Sequence, residues 1–201
     1  MTRSLRRAAW NFLTSLGILL LVISGSLLAG SQYAKYQTRQ KQLLIIEEFE
    51  RLRERFRQED HTYTGARDND YTAAEGETIA ILRLDRLGIR VSVAEGTDRE
   101  VLKLSAGHFI GTSMPGQGNF SIAGHSSDEY VCLFNELHEA VAGDEIIVTT
   151  RQRMHRYLVT DILTAAPEET DYISNTNESI ITIVTCTDSG KTRLIIRGIE
   201  I

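Results

Sequence analysis

The sequence predicts a mainly β domain, a closed barrel or a sandwich, behind a long apolar helix at the N-terminus. Three observations predict it. From Thr78 onward the chain breaks into short β-type runs, most of them bounded by Gly, Asn, Asp or Pro. Those runs do not alternate with long helical patterns, which argues against a Rossmann-type domain. No charged residue occurs from Ala8 to Ala34.

At 201 residues the chain has room for one ordinary domain and an extension, not for two full-sized domains. A composition of 42% hydrophobic and 24% charged residues excludes a wholly disordered or collagen-like chain. Two cysteines, with no CxxC or Cys/His cluster, exclude a disulfide framework and a structural zinc site. The net charge of −5 argues against a nucleic-acid partner. That charge is unevenly placed. Residues 1–60 hold 10 Lys+Arg and 6 Asp+Glu, and the remainder of the 22 and 27 makes residues 61–201 strongly acidic.

The first element is the apolar run. Roughly 20 apolar residues cross a bilayer as a helix. Arg3, Arg6 and Arg7 precede the run, which assigns residues 1–10 to a cytoplasmic tail and 11–32 to a transmembrane signal anchor. The chain is then single-pass in the cell membrane, N-terminus inside, with the C-terminal domain extracellular. Lys35, Arg39 and Lys41 after the run blur the orientation signal. A signal peptide cut near Ala29-Gly30-Ser31 is the alternative, and it exports the same domain.

Residues 33–77 read as a stalk helix followed by a flexible linker. Ile45, Phe49, Leu52 and Phe56 make one apolar stripe at helical spacing. The charged surroundings favour a solvated stalk, the other reading being a helix packed on the domain or a partner. Residues 60–77 are polar, small and unpatterned, as linkers are.

The domain itself is residues 78–201. Strands are expected at 79–84, 89–93, 120–123, 145–149, 156–163, 179–185 and 193–199. Short helical patches are expected at 98–104, capped by Thr97 or Asp98, and at 133–140, stopped by Gly143.

Three residues in this domain suggest chemistry. Cys186 ends the almost wholly apolar strand Ile180–Thr185, where a thiol can be held rigidly at a surface. The bland reading is a small buried hydrophobe. His125 follows the strand Phe120–Ala123 and a glycine, and an imidazole titrating near pH ~6.5 can exchange a proton with a thiol. Arg193 opens the last strand, across a short loop from Cys186, so an antiparallel pairing brings the two alongside. A guanidinium there can stabilise a thiolate or an oxyanion. Arg197 shares its strand parity, and only the proximity to the Cys186 loop favours Arg193. His108 is a candidate supporting group, while His61, His138 and His155 lie in weaker settings.

These pieces together resemble one family. Thr182-Ile183-Val184-Thr185-Cys186 resembles the TLxTC active-site strand of sortases, the cysteine transpeptidases of Gram-positive cell surfaces. Ala123-Gly124-His125 resembles the family's GH loop, and Thr192–Gly198 its Arg-bearing final strand. The stretches 107–116, 134–137 and 143–146 are similar to sortase sequence too, so the likeness covers about residues 78–201. Ile183 replaces the usual leucine, a conservative swap in a buried strand.

The resemblance implies an eight-stranded antiparallel sortase β-barrel with short helices, preceded by the transmembrane and stalk helices. It implies His125, Cys186 and Arg193 as catalytic residues. It implies as substrates secreted proteins with a C-terminal LPxTG-like sorting signal, cut between Thr and Gly. It implies a peptidoglycan-precursor amine as the acceptor. No cofactor and no metal is expected. Calcium would have to come from Glu95, Asp98, Glu100, Glu168, Glu169 and Asp171, which read as ordinary solvated acids. Asp128 and Asp188 are the acids near the site in sequence that could orient His125, and Cys132 is a second thiol close to the GH loop. The absence of a second apolar span, of an Asp-Pro-aromatic lid motif and of a long 162–179 insertion points to a class D-like or class A-like sortase. Two alternatives remain beside transpeptidation: a cysteine endopeptidase that hydrolyses the sorting signal, and a non-catalytic tethered β-barrel that binds a partner.

Overall fold

The computed structural model describes residues 3–59, 72–126, 133–187 and 190–201. The chain divides into two compact units, Met1–Arg39 and Gln40–Ile201. Helix α1 (Arg3–Glu59) supplies all that is described of the first unit and opens the second.

In the first unit, Trp10–Gly30 is 21 residues long and apolar enough to cross a membrane, with none of it buried. At 1.5 Å per residue that segment reaches about 31 Å, the thickness of a bilayer's hydrocarbon core. Three of its hydroxyls are answered within the helix. Thr14 Oγ1 donates to the Asn11 carbonyl at 2.9 Å, Ser24 Oγ to Leu21 at 3.1 Å and Ser26 Oγ to Val22 at 2.8 Å. Such back-bonding is what lets hydroxyls sit in an apolar medium.

The second unit is a barrel of eight strands among the described residues: β1 (Thr78–Leu84), β2 (Ile89–Glu95), β3 (Ala106–His108), β4 (Asn119–Gly124), β5 (Glu145–Thr150), β6 (Met154–Ala165), β7 (Ile180–Thr187) and β8 (Thr192–Glu200). They close in the order β1-β2-β3-β4-β7-β8-β6-β5. The barrel is mixed rather than antiparallel, because β3 pairs with β2, and β4 with β7, in parallel. Long connections make this possible: 96–105 between β2 and β3, and everything from β5 to β6 between β4 and β7. The short α2 (Arg99–Leu102) starts at Asp98, whose carboxylate accepts the Val101 N–H at 2.7 Å. The second expected helix is a 3-10 turn, Asn135–Glu139.

Alternation fills the interior. Leu82, Leu84, Val91, Val93, Phe120, Ile122, Ile146, Val148, Ile181 and Ile183 belong to one buried cluster. Each such side chain contributes about 1.5–3 kcal/mol by leaving water.

The stalk is not solvated throughout, because residues 42–49 bury one face on the barrel. Ile46 and Phe49 are buried against Ile81, which points outward from β1, and Gln42 Nε2 donates to the Leu104 carbonyl at 3.0 Å. The buried face runs through Gln42, Ile46 and Phe49, while Leu52 of the expected stripe is 36% exposed. Leu43 to Ile46 are all apolar, so helix periodicity alone leaves the face ambiguous by one residue. The outward Ile81 decides it. Of the expected linker, residues 72–77 are bonded to the barrel: the Gly76 N–H donates to Glu95 O at 2.8 Å, and Arg151 pairs with Glu77 at 2.8 Å. The remainder, residues 60–71 with His61, lies outside the described residues.

Candidate active site

Register sets the site. β4 and β7 run in parallel with Ile122 opposite Ile183, Ala123 opposite Val184 and Gly124 opposite Thr185. Phe120, Ile122, Ile181 and Ile183 fill the core, so the alternate positions face outward: Ser121 and Ala123 on β4, Thr182, Val184 and Cys186 on β7. β8 runs back along β7 with Arg193 opposite Cys186, Ile195 opposite Val184 and Arg197 opposite Thr182. His125 and Cys186 are the next residues after the Gly124–Thr185 pair, each at the same end of neighbouring parallel strands. One hairpin and a strand some sixty residues before it thus bring His125, Cys186 and Arg193 to one end of one outer face.

Hydrogen bonds fasten that end. The buried Thr185 hydroxyl donates to the Gly124 carbonyl at 2.8 Å, Ser126 Oγ to the Cys186 carbonyl, and the Phe134 N–H to the His125 carbonyl at 3.2 Å. Gly124 is required by packing: a Cβ there would lie 2.4 and 2.5 Å from Cε2 and Cδ2 of Phe134. Cys186 is half-buried. Burial holds the His125 imidazole below the usual histidine pKa, which favours its neutral, proton-accepting form. Arg193 donates from Nη1 to the carbonyls of Gly190, at 3.1 Å, and Thr192, at 3.4 Å.

The same face continues past this end. Val184 and Ile195 are buried beside Cys186 and Arg193, outside the main core cluster, and form an apolar floor. Beyond them Arg197 donates from Nη2 to the carbonyl of Tyr172 at 3.2 Å. Burial raises the pKa of the Tyr172 phenol, and the charge of Arg193 acts against that rise, so the ring stands within electrostatic reach of Arg193.

The sequence profile of the sortase domain matches residues 82–200, more than half of the chain. The chain belongs to the sortase family of transpeptidases. It is 30% identical over 122 residues to sortase A of Listeria monocytogenes, a match that covers 61% of this chain and 53% of that relative. It is 21% identical over 176 residues to sortase A of Bacillus anthracis, covering 84% of each. Among solved structures, a sortase D5 transpeptidase of Clostridium perfringens superposes with a TM-score of 0.63 at 33% identity, over 76% of this chain and 98% of that one. Sortases named A and D are thus both among its relatives.

The remaining candidates of this sortase fall elsewhere. His108 is buried opposite Ile122, with Nδ1 2.8 Å from a Glu95 oxygen and Nε2 2.9 Å from Thr112 Oγ1, and it stacks on Phe120 at 5.0 Å. It braces β2, β3 and β4 away from Cys186. His155 pairs with Glu200 at 2.7 Å, and His138 is exposed. Asp128, Cys132 and Asp188 lie outside the described residues. Of the acids weighed for calcium, Glu95 is engaged by His108, Asp98 caps α2, and Glu169 accepts the Ala166 N–H. Among the described residues no three His, Cys, Asp or Glu side chains gather as metal ligands.

Sequence reading missed Ser126, Asn119 and Tyr172. Ser126 follows the GH dipeptide directly and gave no separate signal. Asn119 stands at the end of a Gly-rich turn and reads as a turn residue. Tyr172 lies in a loop with no pattern.

Proposed function

We propose that this sortase is a membrane-anchored cysteine transpeptidase acting on an LPxTG-like sorting signal. The Cys186 thiol gives its proton to His125, and the sulfur attacks the Thr carbonyl carbon of the Thr–Gly bond. The C–N bond breaks, and the departing amine takes its proton from His125. A thioacyl enzyme remains. An incoming cell-wall amine attacks the same carbon, gives its proton to His125 and releases the Cys186 thiolate, which takes that proton back from His125. Arg193 stabilises the carbonyl oxygen as it gains charge, once its guanidinium turns from the loop carbonyls to the substrate.

The observation that carries this reading is the register: Arg193 opposite Cys186 on β8, and His125 beside Cys186 on β4. The apolar floor of Val184 and Ile195 supports an extended peptide substrate. The apolar segment Trp10–Gly30 supports the anchor, with the N-terminus inside and the catalytic domain outside. The 33% identity to the D5 relative supports the class D-like reading.

The test uses the full-length chain in detergent, because α1 packs on the barrel. Product masses are read after incubation with LPxTG-like peptides, with and without a glycine-rich amine. Amine-dependent ligation of the fragment ending in Thr supports transpeptidation. Cleavage to the free acid regardless of amine makes the protein an endopeptidase. No product, together with a Cys186 inert to electrophiles, leaves the binding module.

A further inference from the structure

The far end of the outer face is built from buried polar side chains that the reaction above does not use. Asn119 on β4 and Thr182 on β7 are both fully buried. Asn119 spends both its N–H donors on the β6–β7 connection, giving Nδ2 bonds to the carbonyls of Tyr172 at 2.9 Å and Ser174 at 3.0 Å. Its Oδ1 accepts the Thr182 hydroxyl at 2.8 Å. Arg197 reaches the Tyr172 carbonyl from β8 at 3.2 Å. Ser121, also fully buried, donates to the Ile173 carbonyl at 3.4 Å. Three side chains, from β4 and β8, therefore converge on three successive loop carbonyls, and Thr182 of β7 backs Asn119.

The arrangement is costly unless it is complete. A buried amide or hydroxyl costs about 1–3 kcal/mol when its partner is lost. Asn119, Thr182 and Ser121 are fully buried, so the loop carbonyls cannot move without orphaning them. The loop is braced on its other side as well. Asn175 accepts from the Ser113 N–H and hydroxyl, both at 3.0 Å, and donates to the Gly111 carbonyl at 3.2 Å. What this brace holds is the turn of Tyr172, whose carbonyl is bonded by Arg197 on the same outer face that carries Arg193 and Cys186.

We propose that Asn119, acting with Thr182 and Arg197, is a positioning residue: it locks the 3-10 turn Asp171–Ile173 so that Tyr172 forms a fixed wall of the face that ends at Cys186. An extended peptide laid along Val184 and Ile195 then has one lateral position, with its scissile carbonyl at the sulfur. Arg197 belongs to this lock and Arg193 to the chemistry, although the two share a strand face. The proposal rests on the reading of Cys186, His125 and Arg193 as a peptide-cleaving centre.

The experiment compares Asn119→Ala and the isosteric Thr182→Val with wild type, all full-length in detergent. Three quantities are read: hydrogen exchange of residues 170–176, kcat/KM for a peptide that wild type turns over, and the rate of Cys186 alkylation by iodoacetamide. Exchange in the turn should rise about tenfold or more in Asn119→Ala while the barrel strands keep their protection. Peptide kcat/KM should fall about tenfold or more, chiefly through KM, with alkylation within about twofold of wild type. Thr182→Val should move the same readouts less, and it carries the test alone if Asn119→Ala does not fold. A loosened turn with unchanged kcat/KM overturns the proposal, as does an unchanged turn. So does a fall in kcat/KM matched by an equal fall in alkylation, which marks a general structural role. If wild type turns over no peptide at all, the peptide-cleaving reading fails, and the positioning role fails with it. If wild type is active and both variants equal it, only the positioning role fails.

Discussion

Cys186 and Arg193 are Cα partners across β7 and β8, so their side chains leave the barrel on the same face at the last turn of the hairpin. A planar guanidinium can present two N–H groups to one carbonyl oxygen, and an ammonium cannot. Arg193→Lys is therefore expected to lose about 10²–10³-fold in kcat, close to Arg193→Ala, despite keeping the charge. Steady-state kinetics on a cleaved peptide check this. Near-normal turnover by Arg193→Ala would transfer the role or remove it.

Burial favours the neutral form of His125. In Cys186→Ala, where the thiol no longer titrates with the ring, its NMR midpoint should fall below the ordinary value of ~6.5. The sign for stability follows. Between the unfolded value and the lowered folded one, the unfolded chain binds more protons, so stability rises with pH across that window. The contribution is intact above ~6.5 and is lost as pH falls through the folded value. His125→Asn should flatten that part of the stability–pH curve in denaturant titrations.

Gly124 and Phe134 touch where the GH loop leaves β4. Gly124→Ala puts a methyl carbon 2.4 Å from the Phe134 ring. The expected loss is about 1–3 kcal/mol, with reduced turnover as His125 shifts. Adding Phe134→Leu should recover part of both, making the pair less than additive. Thermal unfolding and peptide kinetics of the single and double variants measure it.

The packing of α1 on the barrel divides apolar from charged contributions. Phe49 is 2% exposed, and Phe49→Ala should cost about 3 kcal/mol. The nearby Glu50–Arg90 pair has side chains 52% and 47% exposed, so Glu50→Gln should cost less than about 1 kcal/mol. Chemical denaturation of the two variants gives the ratio. Equal losses would mean that the helix is not held by Phe49.

What was legible in the sequence was local. Seven strands announced themselves because each is a run of β-branched and apolar residues between turn formers. β3 did not, since Ala106–His108 is three residues long and contains a glycine. The nearness of Arg193 to Cys186 followed from a short hairpin loop. The nearness of His125 to Cys186 depends on the parallel pairing of β4 with β7, which no local pattern encodes and which the family resemblance supplied. Asn119 was invisible as a functional candidate for the same reason: its partners, Tyr172 and Ser174, are more than fifty residues away. The helix face was misjudged by one residue because Leu43 to Ile46 are all apolar, and Ile81 on another element breaks the tie.

The central claim is a covalent intermediate on Cys186, and intact-protein mass spectrometry tests it most directly. The full-length chain is mixed with an LPxTG-like peptide, quenched in acid and mapped by proteolysis, with Cys186→Ala alongside. The account predicts a mass increase equal to the acyl fragment ending in Thr, located on Cys186, absent from the variant and removed by added amine. Peptide cleavage with no adduct on Cys186, or an adduct that persists in Cys186→Ala, would contradict it.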